Sequence, residues 1–224
     1  MLRVSVNKKL NGSGGMMDLS IDFSVENGEC IALFGPSGAG KTSILRMIAG
    51  FLKPDSGRIQ MNDQLWFSSR DKANLSSSLR NLGIVFQENA LFPNMTVHRN
   101  LKFALRNGQG ASRIEEFMEL FELELLKDQY PHELSGGQKQ RVSLARAMIY
   151  NPSTLLLDEP FASLDEHSTS RLSGLVLEMR RSFNPSIILV SHSRNEVRDI
   201  AQRVLCIQEG RVLRDISIAE FQAL

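Results

Sequence analysis

Ile31-Ala32-Leu33-Phe34-Gly35-Pro36-Ser37-Gly38-Ala39-Gly40-Lys41-Thr42 runs from an unbroken apolar tetrad into a glycine-rich loop ending on Lys-Thr. Four consecutive apolar residues suit a strand buried on both faces, as in a parallel sheet. The glycines permit a tight turn whose backbone N–H groups point inward and cradle anionic oxygens. Lys41 adds a point charge for β- and γ-phosphates, and the Thr42 hydroxyl suits Mg²⁺. Ser43 to Ala49 then reads as a helix stopped by Gly50. The candidate nucleotide-binding residues are therefore Gly35, Pro36, Ser37, Gly38, Ala39, Gly40, Lys41, Thr42 and Ser43.

A second buried strand is predicted at Thr154-Leu155-Leu156-Leu157, ending on Asp158-Glu159. Parallel strands deliver their last residues to the carboxyl edge of the sheet, where open α/β folds bind ligands. Asp158 at that edge can hold Mg²⁺ through water, and Glu159 can deprotonate an attacking water. Taken alone, an Asp-Glu pair after an apolar run is an ordinary strand end; the upstream phosphate loop gives it chemistry. Gln87 closes a strand predicted over Leu82 to Phe86, and His192 closes one over Ile187 to Ser191. Gln87 is thus a candidate for a Mg²⁺ or water shell, and His192 for donating to a γ-phosphate oxygen.

The rest of the chain is organised around these strands. To about Val25, apolar and polar residues alternate about a turn at Gly12-Ser13-Gly14-Gly15, predicting an antiparallel hairpin. Gly57 to Met61 is a further strand, and the polar stretch between it and Leu82 reads as a loop. From about Asn89 to Tyr150 helical periodicity replaces strand signals, with Ile114, Phe117, Met118, Phe121 and Leu125 lining one face. A helix is predicted from about Ser170 to Arg181. The expectation is an α/β fold with a helical insertion.

The 224 residues suffice for one sizeable domain, and 42% hydrophobic and 23% charged residues are ordinary for a globular protein. A formal net charge of +1 gives no support for a nucleic-acid partner. Two cysteines, Cys30 and Cys206, lack metal-ligand spacing and read as buried packing residues in a reducing compartment. No stretch approaches the roughly 20 apolar residues of a membrane span.

Leu134-Ser135-Gly136-Gly137-Gln138 narrows the reading. By itself it is a helix cap, Ser135 with a Gln at the third following position. Placed between the phosphate loop and Asp158-Glu159, it resembles the signature motif of ATP-binding-cassette ATPases, the nucleotide-binding subunits of ABC transporters. Gln87 matches that family's Q-loop, Ser163-Leu164-Asp165 its D-loop and His192 its switch histidine. The resemblance covers nearly the whole chain and implies a P-loop NTPase (RecA-like) core over 1–88 and 151–224. It further implies an N-terminal antiparallel β subdomain and an inserted α-helical subdomain over 89–150.

In that family two copies pack head to tail, each ATP lying between one copy's phosphate loop and the other's signature motif. Ser135, Gly136, Gly137 and Gln138 would then serve the partner's ATP from a helix N-terminus, with capping and anion binding sharing one helix end. Transmembrane permease subunits and an extracytoplasmic substrate-binding protein are the other implied partners, at the cytoplasmic face of the inner membrane. Val85-Phe86-Gln87, Ala90-Leu91-Phe92-Pro93, Met95-Thr96-Val97 and Phe161 resemble importers of oxyanions and metals. Leu65-Trp66-Phe67-Ser68-Ser69 and Arg80-Asn81-Leu82-Gly83 look most like molybdate-importer ATPases. Other cargoes (another oxyanion, a metal or an exported lipid) and a soluble non-transport ATPase are the alternatives.

The chain departs from the family at Leu10, where an aromatic usually stacks on adenine, and at Ser193, where many members have Asp. Molybdate-importer ATPases often carry a C-terminal oxyanion-binding domain; with Leu224 the last residue, none is expected.

Overall fold

The computed structural model describes residues 1–12, 15–88, 90–105, 110–162 and 164–223. Ser13 and Gly14 of the predicted turn, Asn89 and Ser163 lie outside the described residues. The chain opens with β1 (Leu2–Gly12), β2 (Gly15–Val25), β3 (Cys30–Phe34) and α1 (Lys41–Ala49). Next come β4 (Ser56–Met61), β5 (Gln64–Ser68), β6 (Ala73–Asn74) and β7 (Leu82–Val85). Three helices follow, α2 (Val97–Ala104), α3 (Ser112–Leu120) and α4 (Gly136–Met148). The order then runs β8 (Thr154–Asp158), α5 (Glu166–Phe183), β9 (Ser186–Ser191), α6 (Arg194–Ile200), β10 (Arg203–Gln208), β11 (Arg211–Ser217) and α7 (Ile218–Gln222).

Among the described residues eleven strands form one sheet in the order β6-β5-β4-β1-β2-β11-β10-β3-β9-β8-β7. From β10 to β7 all neighbours are parallel, so β3, β7, β8 and β9 end at one edge. From β6 to β2 the pairing is antiparallel, and β11 joins the two regions, antiparallel to β10 and parallel to β2 through the pair Arg211 and Ser20.

The apolar runs become intelligible once both faces of the sheet are considered. Leu155, Leu157, Ile187 and Leu189 face one core with Leu101, Phe117 and Val142 of the helices. Leu156, Ile188 and Val190 face the other with Ile44 and Ile48 of α1 and Val4 and Ile21 of the antiparallel arm. Alternate side chains thus enter different cores, so no polar residue stands between Thr154 and Asp158 of β8.

Four sequence expectations are corrected. The stretch between β4 and β7 is not simply a loop, since it holds β5 and β6. Ile59 pairs with Phe67 and Gln60 with Leu65, which leaves Trp66 as an extra residue in a bulge. The bulge buries both Trp66 and Phe67, breaking the two-residue alternation by which a strand is recognised. Leu125, expected on the buried face of a helix, is 96% exposed. There α3 has ended, Glu122 takes a left-handed φ of 50°, and a 3₁₀ turn from Glu124 to Leu126 carries Leu125 outward. The helix predicted from Ser170 begins earlier, at Glu166, because Asp165 caps it by accepting the Ser168 N–H at 2.8 Å. Of the two cysteines only Cys30 is fully buried, and burial pushes its thiol up to about 12.

Arg80 is 2% exposed and ties the arm to α1. Its guanidinium donates to the carbonyls of Met47 at 2.9 Å and Ile48 at 2.6 Å, at the C-terminal end of α1. It also donates to the carbonyls of Leu75 and Trp66 and lies over the Trp66 ring, 5.6 Å from its centroid. A cation at a helix C-terminus complements the helix dipole. Among the described residues no helix is long and apolar enough to cross a membrane.

Candidate functional site

The loop after β3 owes its shape to contacts that exclude side chains. A Cβ on Gly35 would stand 2.1 Å from the Ile207 carbonyl oxygen of β10. Gly40, at φ 98°, supplies the left-handed turn into α1 that other residues adopt at a cost. Lys41 folds back into the loop and donates to the carbonyl oxygens of Gly35 and Pro36, both at 2.8 Å. Burial holds its ammonium below the ordinary lysine range, opposed by the carboxylates of Glu159 and Asp158. The loop floors a cleft of about 1400 Å³ whose walls include Ser37, Gly38, Thr42, Ser43, Gln87 and Glu159.

At the end of β8, Asp158 accepts the Thr42 hydroxyl proton at 2.9 Å. Burial raises the Asp158 carboxyl above the ordinary aspartate range, and the Thr42 hydrogen bond opposes that rise. A buried carboxyl beside a hydroxyl offers hard oxygen donors, and a divalent cation there would favour the charged form. Among the described residues no group of three or more His, Cys, Asp or Glu is placed to hold a metal ion by itself. The set therefore suits a Mg²⁺ ion that takes its remaining ligands from substrate phosphates and water, with Gln87 on the cleft wall.

Glu159 follows in a left-handed conformation, φ 48°, uncommon for a residue with a side chain. Its N–H donates to the Val190 carbonyl at 3.0 Å, fixing this turn to β9. His192 follows the end of β9, with Nδ1 3.7 Å from Glu159 Oε1. The structure thus brings Lys41, Thr42, Asp158, Glu159 and His192 to one sheet edge. Gln87 lies there too, two residues beyond the end of β7, and is exposed.

Ser135, Gly136, Gly137 and Gln138 stand apart from this group. Ser135 caps α4: its side chain accepts the Gln138 N–H at 3.3 Å, while Gln138 Oε1 accepts the Ser135 N–H at 2.8 Å. Ser135, Gly137 and Gln138 line a second, smaller cavity of about 190 Å³ with Arg141, His167 and Arg171. The two cavities share no lining residue. The capping reading holds, and within one chain the signature residues do not meet the phosphate loop.

A family model described as ABC transporter matches residues 19–162, from β2 through the phosphate loop and signature residues to Asp158-Glu159. The chain belongs to the ABC transporter family. An Fe(3+) ions import ATP-binding protein of Haemophilus influenzae is 42% identical over 215 residues, covering 94% of this chain and 59% of that protein. A molybdenum import ATP-binding protein of Rhodospirillum rubrum is 40% identical over 201 residues, covering 88% of this chain and 54% of that protein. Sulfate/thiosulfate import ATP-binding proteins are about as similar. The chain thus spans little more than half the length of these two relatives. A dimeric ATP-binding cassette bound to ADP and Pi superposes with a TM-score of 0.82 at 26% identity, covering 97% of this chain and 99% of that one.

Two features of this ABC cassette escaped the sequence reading. Met16, Met17 and Leu213 join Leu10 on the cleft wall. Glu196 sits beside the His192 turn, and its only sequence signal was the Ser193-x-x-Glu196 spacing of a helix start. Replacing Lys41 by Ala is expected to weaken ATP binding about 10- to 100-fold, the worth of a hydrogen bond to a charged group. Titration with a fluorescent ATP analogue measures this, and unchanged affinity would remove Lys41 from phosphate binding.

Proposed function

We propose that this ABC cassette hydrolyses ATP to drive import of a small oxyanion, molybdate first. The convergence of Lys41, Thr42, Asp158, Glu159 and His192 at one sheet edge carries the reading. In it, the backbone N–H groups of residue 35 and residues 37–43, with the Lys41 ammonium, hold the phosphates. Thr42, Asp158 and Gln87 hold Mg²⁺, which when bound neutralises phosphate charge. Glu159 takes a proton from the attacking water, and His192 donates a hydrogen bond to the γ-phosphate. Ser135, Gly136, Gly137 and Gln138 complete the site of a second copy packed head to tail, with the N–H groups of Gly136 and Gly137 at the start of α4 directed to its phosphate. The separation of the two cavities supports that pairing, since one chain alone leaves the signature residues remote from its own phosphate loop.

The pair works beneath membrane permease subunits at the cytoplasmic face of the inner membrane, fed by an extracytoplasmic substrate-binding protein. Molybdate is favoured by Leu65 to Ser69 and Arg80 to Gly83, which look most like molybdate-importer ATPases. A second reading, iron import, rests on the Haemophilus relative of similar identity. Reconstitution with the permease, followed by ATPase assay with the binding protein carrying molybdate, sulfate or Fe³⁺, separates them. Stimulation by the molybdate-loaded protein is expected; stimulation by the iron-loaded protein alone would overturn the oxyanion reading.

A further inference from the structure

His192 projects from a turn with no partner closer than the 3.7 Å approach to Glu159 among its ion-pair contacts, and its side chain is 64% exposed. What fixes its place lies in the backbone beneath it. Ser191, the last residue of β9, is 1% exposed and donates its hydroxyl proton to Glu196 Oε2 at 2.5 Å. The same hydroxyl oxygen accepts the Ser193 N–H at 2.9 Å. The Ser193 side chain in turn accepts the Glu196 N–H at 3.4 Å and caps α6. These three bonds close a ring around His192, running from the strand before it to the helix after it.

We infer that Glu196 is a positioning residue for His192. Its carboxylate fixes the Ser191 hydroxyl rotor, which leaves the oxygen lone pair aimed at the Ser193 N–H. Because the Ser193 N–H belongs to the peptide that follows His192, the bond sets the direction in which the imidazole leaves the turn. The opposite side of the turn is also held, since the Val190 carbonyl accepts the Glu159 N–H at 3.0 Å. Both candidate catalytic side chains are then referenced to two adjacent residues of β9, Val190 and Ser191. Burial raises the Glu196 carboxyl above the ordinary glutamate range, and the Ser191 hydrogen bond and the His192 charge oppose that rise. Within this ring Ser193, at the position where many family members carry Asp, supplies the cap of α6. The inference rests on the reading of His192 given above.

The test is ATP hydrolysis and ATP binding by the purified protein and its variants. Glu196→Ala should lower kcat about 10-fold while KM and Kd for ATP stay within about twofold, as expected for lost orientation of a group used in the transition state. Glu196→Gln should recover activity to within about threefold, because its amide oxygen still accepts the Ser191 hydroxyl. Ser191→Ala removes the other half of the contact by deleting one oxygen and should give the same kcat loss. It also serves if Glu196→Ala fails to fold. In a His192→Ala background, Glu196→Ala should cost less than about twofold more, since residues acting through one another are not additive. Additive losses, equal losses of affinity and kcat, or full activity in Glu196→Ala would each overturn the inference. Full turnover in His192→Ala would overturn the role of His192 itself, whereas loss there without loss in Glu196→Ala sinks only the positioning role.

Discussion

Glu159→Gln is expected to bind ATP with unchanged affinity and to lose about 10³-fold in steady-state turnover, within the range for removal of a general base. The amide keeps the volume and the backbone anchor on Val190, so the phosphate loop and the Thr42–Asp158 contact should be undisturbed. It cannot take a proton from water. With hydrolysis blocked and binding intact, the protein should accumulate as an ATP-bound pair, visible as an ATP-dependent shift to twice the mass in size-exclusion chromatography. Phosphate release at the wild-type rate would remove Glu159 from the base role. A loss of ATP affinity as large as the loss of turnover would mean that the substitution had damaged the site rather than the proton transfer.

The second large effect is on stability. Arg80→Ala should cost about 3–4 kcal/mol, because it leaves buried carbonyls at the end of α1 and in the arm without donors. Burial pulls the guanidinium down to about 10, so Arg80 stays charged at neutral pH and continues to serve those carbonyls. Arg80→Lys should recover less than half of the loss, since a single ammonium cannot span acceptors that a planar fork reaches together. Urea unfolding, at equal slope for the three proteins, measures the difference. A cost below about 1 kcal/mol for Arg80→Ala would show that water replaces the guanidinium and that α1 does not depend on it.

The catalytic edge was legible because several independent signals coincided there. β3, β8 and β9 are covered on both faces, so each is an unbroken apolar run, and polar residues begin where the strand ends. Glycine spacing then marked the one loop whose backbone must approach Ile207 and turn left-handed at Gly40. What escaped depends on contacts between residues distant in sequence or on local irregularity. Trp66 is buried through a bulge whose partner residues lie in β4. Arg80 stands out in the sequence only as part of Arg80-Asn81-Leu82-Gly83, and its partners at the end of α1 lie over thirty residues earlier. Glu196 is the third residue of a helix capped by Ser193, yet its carboxylate accepts from Ser191 rather than from the cap. Leu125 failed for a related reason: the helical period was extrapolated past Glu122, whose backbone turns the chain out of register.

The phosphate-loop cavity and the signature cavity occupy different places on one chain. Two unlike patches that fit each other can join copies in open rows or in closed arrangements. Related by a translation or a screw, they leave one patch open at either end and the row grows without limit. Related by a twofold axis, they close at two copies, with no patch left over. In the closed arrangement neither nucleotide belongs to one chain, and each composite site draws its phosphate loop from one copy and its helix end from the other. Any inherited change in the gene is then present twice in the assembly. A phosphate-loop change in a single copy, paired with a normal one, would touch one composite site and leave the loop and helix end of the other intact.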